Sequence, residues 1–113
     1  MAAVIAYVTC ESMEQAERIG HALVAERLAA CANILPGMRS IYRWKGAVET
    51  AGETVLLAKT RAELADALTE RVKALHSYEV PCVVVWPITA GLPDFLRWID
   101  DETSPAGQPH QTA

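Results

Sequence analysis

Residues 31–60 read CANILPGMRSIYRWKGAVETAGETVLLAKT, and this stretch decides the fold. From Cys31 to Lys45 the pattern is extended: Asn33, Ile34 and Leu35 precede a Pro36-Gly37 break, and Ile41, Tyr42, Arg43 and Trp44 then alternate. Proline removes a ladder donor, so this strand is expected at a sheet edge or with a bulge near Pro36. Gly46 and the polar run Glu49-Thr50-Ala51-Gly52-Glu53 supply turn chemistry, and Thr54 to Lys59 forms the return strand. Together they predict one long hairpin.

Upstream, Val4 to Thr9 is rich in β-branched and aromatic residues and reads as a buried strand. Ser12 followed by Gln15 has the form of a capping box, and Ala16, Ile19, Gly20, Leu23, Val24 and Leu28 recur at helical spacing behind it. Downstream, Thr60 and Glu63 repeat the capping pattern, and Leu64, Leu68, Val72 and Leu75 line a second helix ending near His76. Pro81 opens another strand, Cys82 to Trp86. Pro93 then begins a short helix carrying Phe95, Leu96 and Ile99 on one side. The order is βαββαβ plus a C-terminal helix, which predicts an α+β, ferredoxin-like sandwich with a long hairpin between its second and third strands. One domain is expected over residues 1–102. The segment 103–113, rich in Pro, Gly, Gln and Thr, has little to bury and is expected to be disordered.

Composition narrows the function classes. A chain of 113 residues that is 51% hydrophobic builds one core. Its net charge of −4 and pI near 5.3 provide no basic stripe, and the Gly-and-aromatic strand motif of RNA-binding sandwiches is missing, so nucleic acid is a poor partner. No apolar run approaches the roughly 20 residues of a spanning helix, and Met1 to Ile5 shows no secretory pattern. A cytoplasmic protein without a membrane partner is expected. Three cysteines without a CxxC argue against a disulfide framework and for reduced thiols. No Gly-rich phosphate loop, GxSxG or HExxH motif is present, so an enzyme is not expected.

The strands predict self-association. Two helices cover one face of such a sheet, so an isolated subunit should alternate apolar and polar residues along each strand. Val4, Ile5, Tyr7 and Val8, then Val55 to Leu57, then Val83 to Trp86, are instead apolar on both faces. A wet second face would exceed the patch a monomer tolerates. A second copy, or in part the short third helix with Phe95, Leu96, Trp98 and Ile99, should cover it; a closed cyclic oligomer is expected, and the pattern does not choose between two subunits and three.

Several motifs in order now carry a family likeness: Ala29-Ala30-Cys31-Ala32-Asn33-Ile34-Leu35-Pro36-Gly37, Ser40 to Gly46, Leu57-Ala58-Lys59-Thr60-Arg61, His76-Ser77-Tyr78-Glu79-Val80-Pro81, Pro87-Ile88, and Pro93 to Ile99. Over Val4 to Glu102 the chain resembles the CutA family of divalent-cation tolerance proteins. The resemblance implies a homotrimer similar in architecture to the PII signalling proteins, and a part in tolerating divalent metals, copper being the ion usually named. It brings no established reaction. No cofactor is implied for folding.

The resemblance also implies a metal-ligand set: a cysteine on the first strand, a histidine near His76, and an acidic residue after the proline. Cys10 matches the first and His76 lies at or beside the second. Cys82 stands where glutamate is common, giving a softer Cys10, His76, Cys82 set suited to Cu(I). The competing readings are Cys10 and Cys82 as small buried hydrophobes and His76 as a helix-end residue. A PII-like alternative places a small anion in an intersubunit cleft formed by Lys59, Tyr78 and Glu79. Tyr42, Trp44 and Trp86 read as interface aromatics. His21 and His110 have no partners at ligand spacing.

Overall fold

Residues 2–105 are described by a computed structural model. Strand β1 (Ala3–Cys10) leads into helix α1 (Met13–Ala25), and β2 (Cys31–Trp44) and β3 (Ala47–Arg61) make the hairpin. Helix α2 (Ala65–Leu75), β4 (Val83–Pro87) and α3 (Pro93–Glu102) follow. The strands form one antiparallel sheet in the order β2-β3-β1-β4, the ferredoxin-like arrangement that the element order predicts.

Local chemistry explains most of the boundaries. Ser12 Oγ accepts the Gln15 N–H at 3.1 Å, and Gln15 Oε1 accepts the Glu11 N–H at 2.9 Å, so α1 starts on a reciprocal cap. It stops at Ala25, short of Leu28, because Arg27 adopts a left-handed φ of 59°. The ladder between β2 and β3 slips between Leu35 and Met38, where Pro36 and Gly37 (φ 82°) make the expected bulge.

Two expectations are corrected. The polar run Glu49–Glu53 does not turn; it is paired strand, with Glu53 opposite Met38. Reversal occurs at Lys45-Gly46, whose φ values of 49° and 85° are the positive pair that a two-residue type I′ turn needs. Thr60, in turn, caps no helix. It is buried in β3 opposite Val4, and α2 begins through a 3₁₀ turn (Ala62–Leu64) without a side-chain cap.

The core lies between the sheet and the first two helices, where Ala6, Val8, Cys10, Leu56 and Ala58 meet Ile19, Leu23, Leu68 and Val72. Helix α3 covers one end of the other face, with Ile99 and Leu96 packed beside Ala3 and Ala30. Val84 and Trp86 on β4 stay exposed. The hairpin beyond Thr54 has no third strand, since β1 pairs only with Thr54–Arg61. It projects as a two-stranded ribbon and stretches the molecule to 53 × 25 × 22 Å.

The first two residues after α3 pack against its end. Thr103 and Ser104 are buried: their hydroxyls donate to the carbonyls of Ile99 and Asp100, each at 2.8 Å. Arg61 Nη2 donates to Thr103 O at 3.1 Å, and Arg27 Nη1 to Glu102 O at 3.1 Å, satisfying carbonyls at the end of α3. The rest of the expected tail, residues 106–113 with His110, lies outside the described residues. No described helix is long and apolar enough to cross a membrane.

Candidate functional site

Helix α2 ends where His76 turns to extended backbone, and the loop it starts crosses the end of β1 before β4. His76 Nε2 lies 2.7 Å from the Thr9 carbonyl oxygen. A carbonyl only accepts, so Nε2 carries the proton. Nδ1 in turn accepts the Tyr78 N–H at 3.1 Å. Both ring nitrogens are thus engaged within one chain.

The same loop is tied down at two more points. Gln15, buried at the start of α1, donates from Nε2 to Ser77 Oγ at 2.7 Å. Tyr78 packs its ring 4.6 Å from the imidazole and donates its hydroxyl to Glu53 Oε2 at 2.8 Å. Partial burial, then the Glu53 hydrogen bond and charge, push the Tyr78 phenol above its ordinary range. Beneath this layer Cys10 is wholly buried on the helix side of β1. Burial first, and the Glu53 and Glu11 charges after it, push its thiol up to about 11. Burial and the neighbouring carboxylates both disfavour the thiolate there.

Above the loop opens a groove of about 800 Å³, walled by Tyr7, Met38, Tyr42, Trp44, Tyr78 and Cys82. Its volume lies within the usual range of ligand clefts. Trp86 stacks on Tyr7 at 5.3 Å, just outside it, and the Tyr7 hydroxyl donates to Met38 Sδ at 3.3 Å. Charged groups on the wall are Arg39, Glu53 and Glu79, and Lys45 approaches Glu79 at 3.7 Å. There is no surplus of positive charge to hold an anion. Aromatic faces with carboxylates favour apolar surface and cations instead.

Of the anion set named from the sequence for a cleft between subunits, one subunit brings together two members. Tyr78 and Glu79 share the groove wall, but Lys59 lies six positions from Glu53 along β3, roughly 20 Å away. Its ammonium donates to Asn33 Oδ1 at 2.6 Å and sits 5.8 Å from the Phe95 ring centroid. The metal set fares no better inside one subunit. Cys10 is packed in the core, His76 has no free lone pair, and Cys82 alone of the three is exposed. Among the described residues no three His, Cys, Asp or Glu side chains gather as a metal site. The residues present therefore do not fit a bound ion in one chain. Tyr42, Trp44 and Trp86 are each partly exposed in the single chain.

Glu53, Gln15 and Arg39 are the site residues that sequence reading passes over. Recognising Lys45-Gly46 as the turn would have found Glu53, because the register then carries it into the strand opposite Met38.

Known proteins resemble the chain closely. The model of the CutA1 divalent ion tolerance protein family matches residues 4–102. A divalent-cation tolerance protein CutA from Thermus thermophilus is 48% identical over 99 residues, covering 88% of this chain and 96% of that one. The chloroplastic protein CutA 1 of rice is 45% identical over 100 residues; 88% of this chain aligns, but it spans only 56% of the rice protein's length. The crystal structure of CutA1 from rice superposes with a TM-score of 0.89 at 42% identity, covering 94% of this chain and 97% of that one.

Proposed function

Because the chain belongs to the CutA1 divalent ion tolerance family, we propose that it serves divalent-cation tolerance as a closed homotrimer rather than as a single subunit. One observation carries this reading: the open side of the sheet and the projecting ribbon leave large apolar side chains in water. Ile41 is 74% exposed, Val48 63% and Trp86 47%. A two-stranded ribbon is marginal by itself, and such a patch is covered at low cost by another copy.

In this reading a cation, copper or another divalent ion, binds at a seam where donors from more than one subunit meet. The three unpaired cysteines suit the reducing cytoplasm. The test has two arms. Sedimentation velocity should return the mass of three chains across micromolar dilution. A thermal-shift panel of copper, zinc, cobalt and nickel salts beside nucleotides and inorganic phosphate should raise stability with a metal and not with an anion. A lone chain would refute the assembly; stabilisation by anions alone would favour a PII-like sensor instead.

A further inference from the structure

The misfit between the implied donor set and the structure has a definite source. A metal binds imidazole through an in-plane nitrogen lone pair, and the other nitrogen then carries the proton. In His76 that role would fall to Nδ1, because Nε2 holds its proton against the Thr9 carbonyl. Yet the Tyr78 N–H already points at Nδ1. Releasing Nδ1 requires moving the Tyr78 backbone, which is secured through its hydroxyl to Glu53 and through Ser77 to Gln15. Exchanging tautomers is worse: Nδ1–H would face the Tyr78 N–H, and bare Nε2 would face a carbonyl oxygen. Neither change is a simple rotation of one side chain.

We infer that His76 is a clamp and not a ligand. Fixed as the Nε2–H tautomer between Thr9 and Tyr78, it positions the Ser77–Cys82 loop and the Tyr78–Glu53 pair that wall the groove, while Cys10 below serves packing. Every contact involved lies within one chain, so the inference stands whether the assembly has one, two or three subunits. It is separate from the tolerance reading and can fail without it.

The test uses the full chain in its native assembly. Long-range proton–nitrogen NMR of the imidazoles should show His76 with a protonated Nε2 and an unprotonated Nδ1, and zinc(II) added to stoichiometry should leave both signals in place. Exposed His21 provides the comparison of an unclamped ring. Movement of either His76 nitrogen to a metal-bound shift would overturn the inference, and this reading needs no substitution. Cadmium(II) titration of C10S and H76Q, followed by thiolate charge-transfer absorbance, should match the unsubstituted protein within about twofold; a loss of about tenfold or more in either, the least that a ligand's removal costs, would also overturn it. The positioning role has its own readout in the Tyr78 backbone amide, whose N–H donates to His76 Nδ1. H76A, which removes that acceptor, should speed hydrogen exchange of the Tyr78 amide by about fivefold or more, whereas H76Q, whose side-chain amide can still donate to Thr9 O and accept from Tyr78 N–H, should restore most of the protection. Equal exchange of the Tyr78 amide in H76A and the unsubstituted chain would refute the clamp.

Discussion

Trp86→Ala should break the assembly while leaving the subunit folded. Trp86 is 47% exposed in the single chain and stands on the open face beside Tyr7. On a residue area of roughly 240 Å², about 110 Å² remains to be covered, or about 3 kcal/mol per subunit at about 25 cal/mol per Å². A closed trimer contains that contact three times, up to about 9 kcal/mol in all, and its half-dissociation concentration varies as the square root of the dissociation constant. The midpoint therefore rises by up to about a thousandfold. Within the subunit the substitution gives up the covered half of the side chain, roughly 130 Å² or about 3 kcal/mol including the stacking on Tyr7, which is less than the whole stability of a typical domain, so circular dichroism should still report the native fold. Sedimentation velocity over a dilution series reads the midpoint directly, with Val24→Ala on the solvent side of α1 as the matched control. If W86A and the unsubstituted chain sediment alike at every dilution, the open face is not the seam.

Three further outcomes follow from particular atoms. Thr60→Val should stabilise the fold by about 1 kcal/mol in chemical denaturation, because the buried Thr60 hydroxyl has no partner among the described residues and the valine is isosteric; a capping role would instead produce a loss. Gly46→Ala should lower stability by about 1–2 kcal/mol, since φ of 85° is left-handed and a Cβ is strained there whatever the space around it; calorimetry reads it as a fall in Tm. The Cys10 thiol is held protonated in the fold, up to about 11 from an ordinary 9.0, so the folded chain binds more protons than the unfolded chain across that interval. Stability should fall as pH rises from about 9 to about 11, and Cys10→Ala should flatten that part of the profile relative to the unsubstituted protein; equal slopes would refute the assignment.

The fold was legible because its determinants are local. Ser12 and Gln15 are three positions apart and cap α1, Pro36-Gly37 places the bulge, and apolar runs mark β1, β3 and β4. Where sequence reading failed, a longer-range pairing overrode a local signal. Thr60 has the right residue three positions later for a cap, but the register with β1 draws it into the sheet. The run from Glu49 to Glu53 looks like a turn because it is polar. It is polar because it lies on a ribbon outside the core, where strands have no interior face to fill.

The candidate site was legible as a list of residues and not as chemistry. Reading Cys10, His76 and Cys82 as donors needs only residue type, and residue type cannot report which lone pairs are already taken. The atoms that decide the matter for His76 are two backbone groups, the Thr9 carbonyl 67 positions away and the Tyr78 N–H two positions on. Backbone groups are the same in every sequence, so no motif records them. The same reasoning applies to Lys59: apolar neighbours correctly require its ammonium to find a partner, and it finds Asn33 and Phe95 on the far part of the sheet instead of Tyr78 and Glu79. What a side chain must satisfy can be read from its neighbours in sequence. What satisfies it is decided by register, and register is a property of the whole sheet.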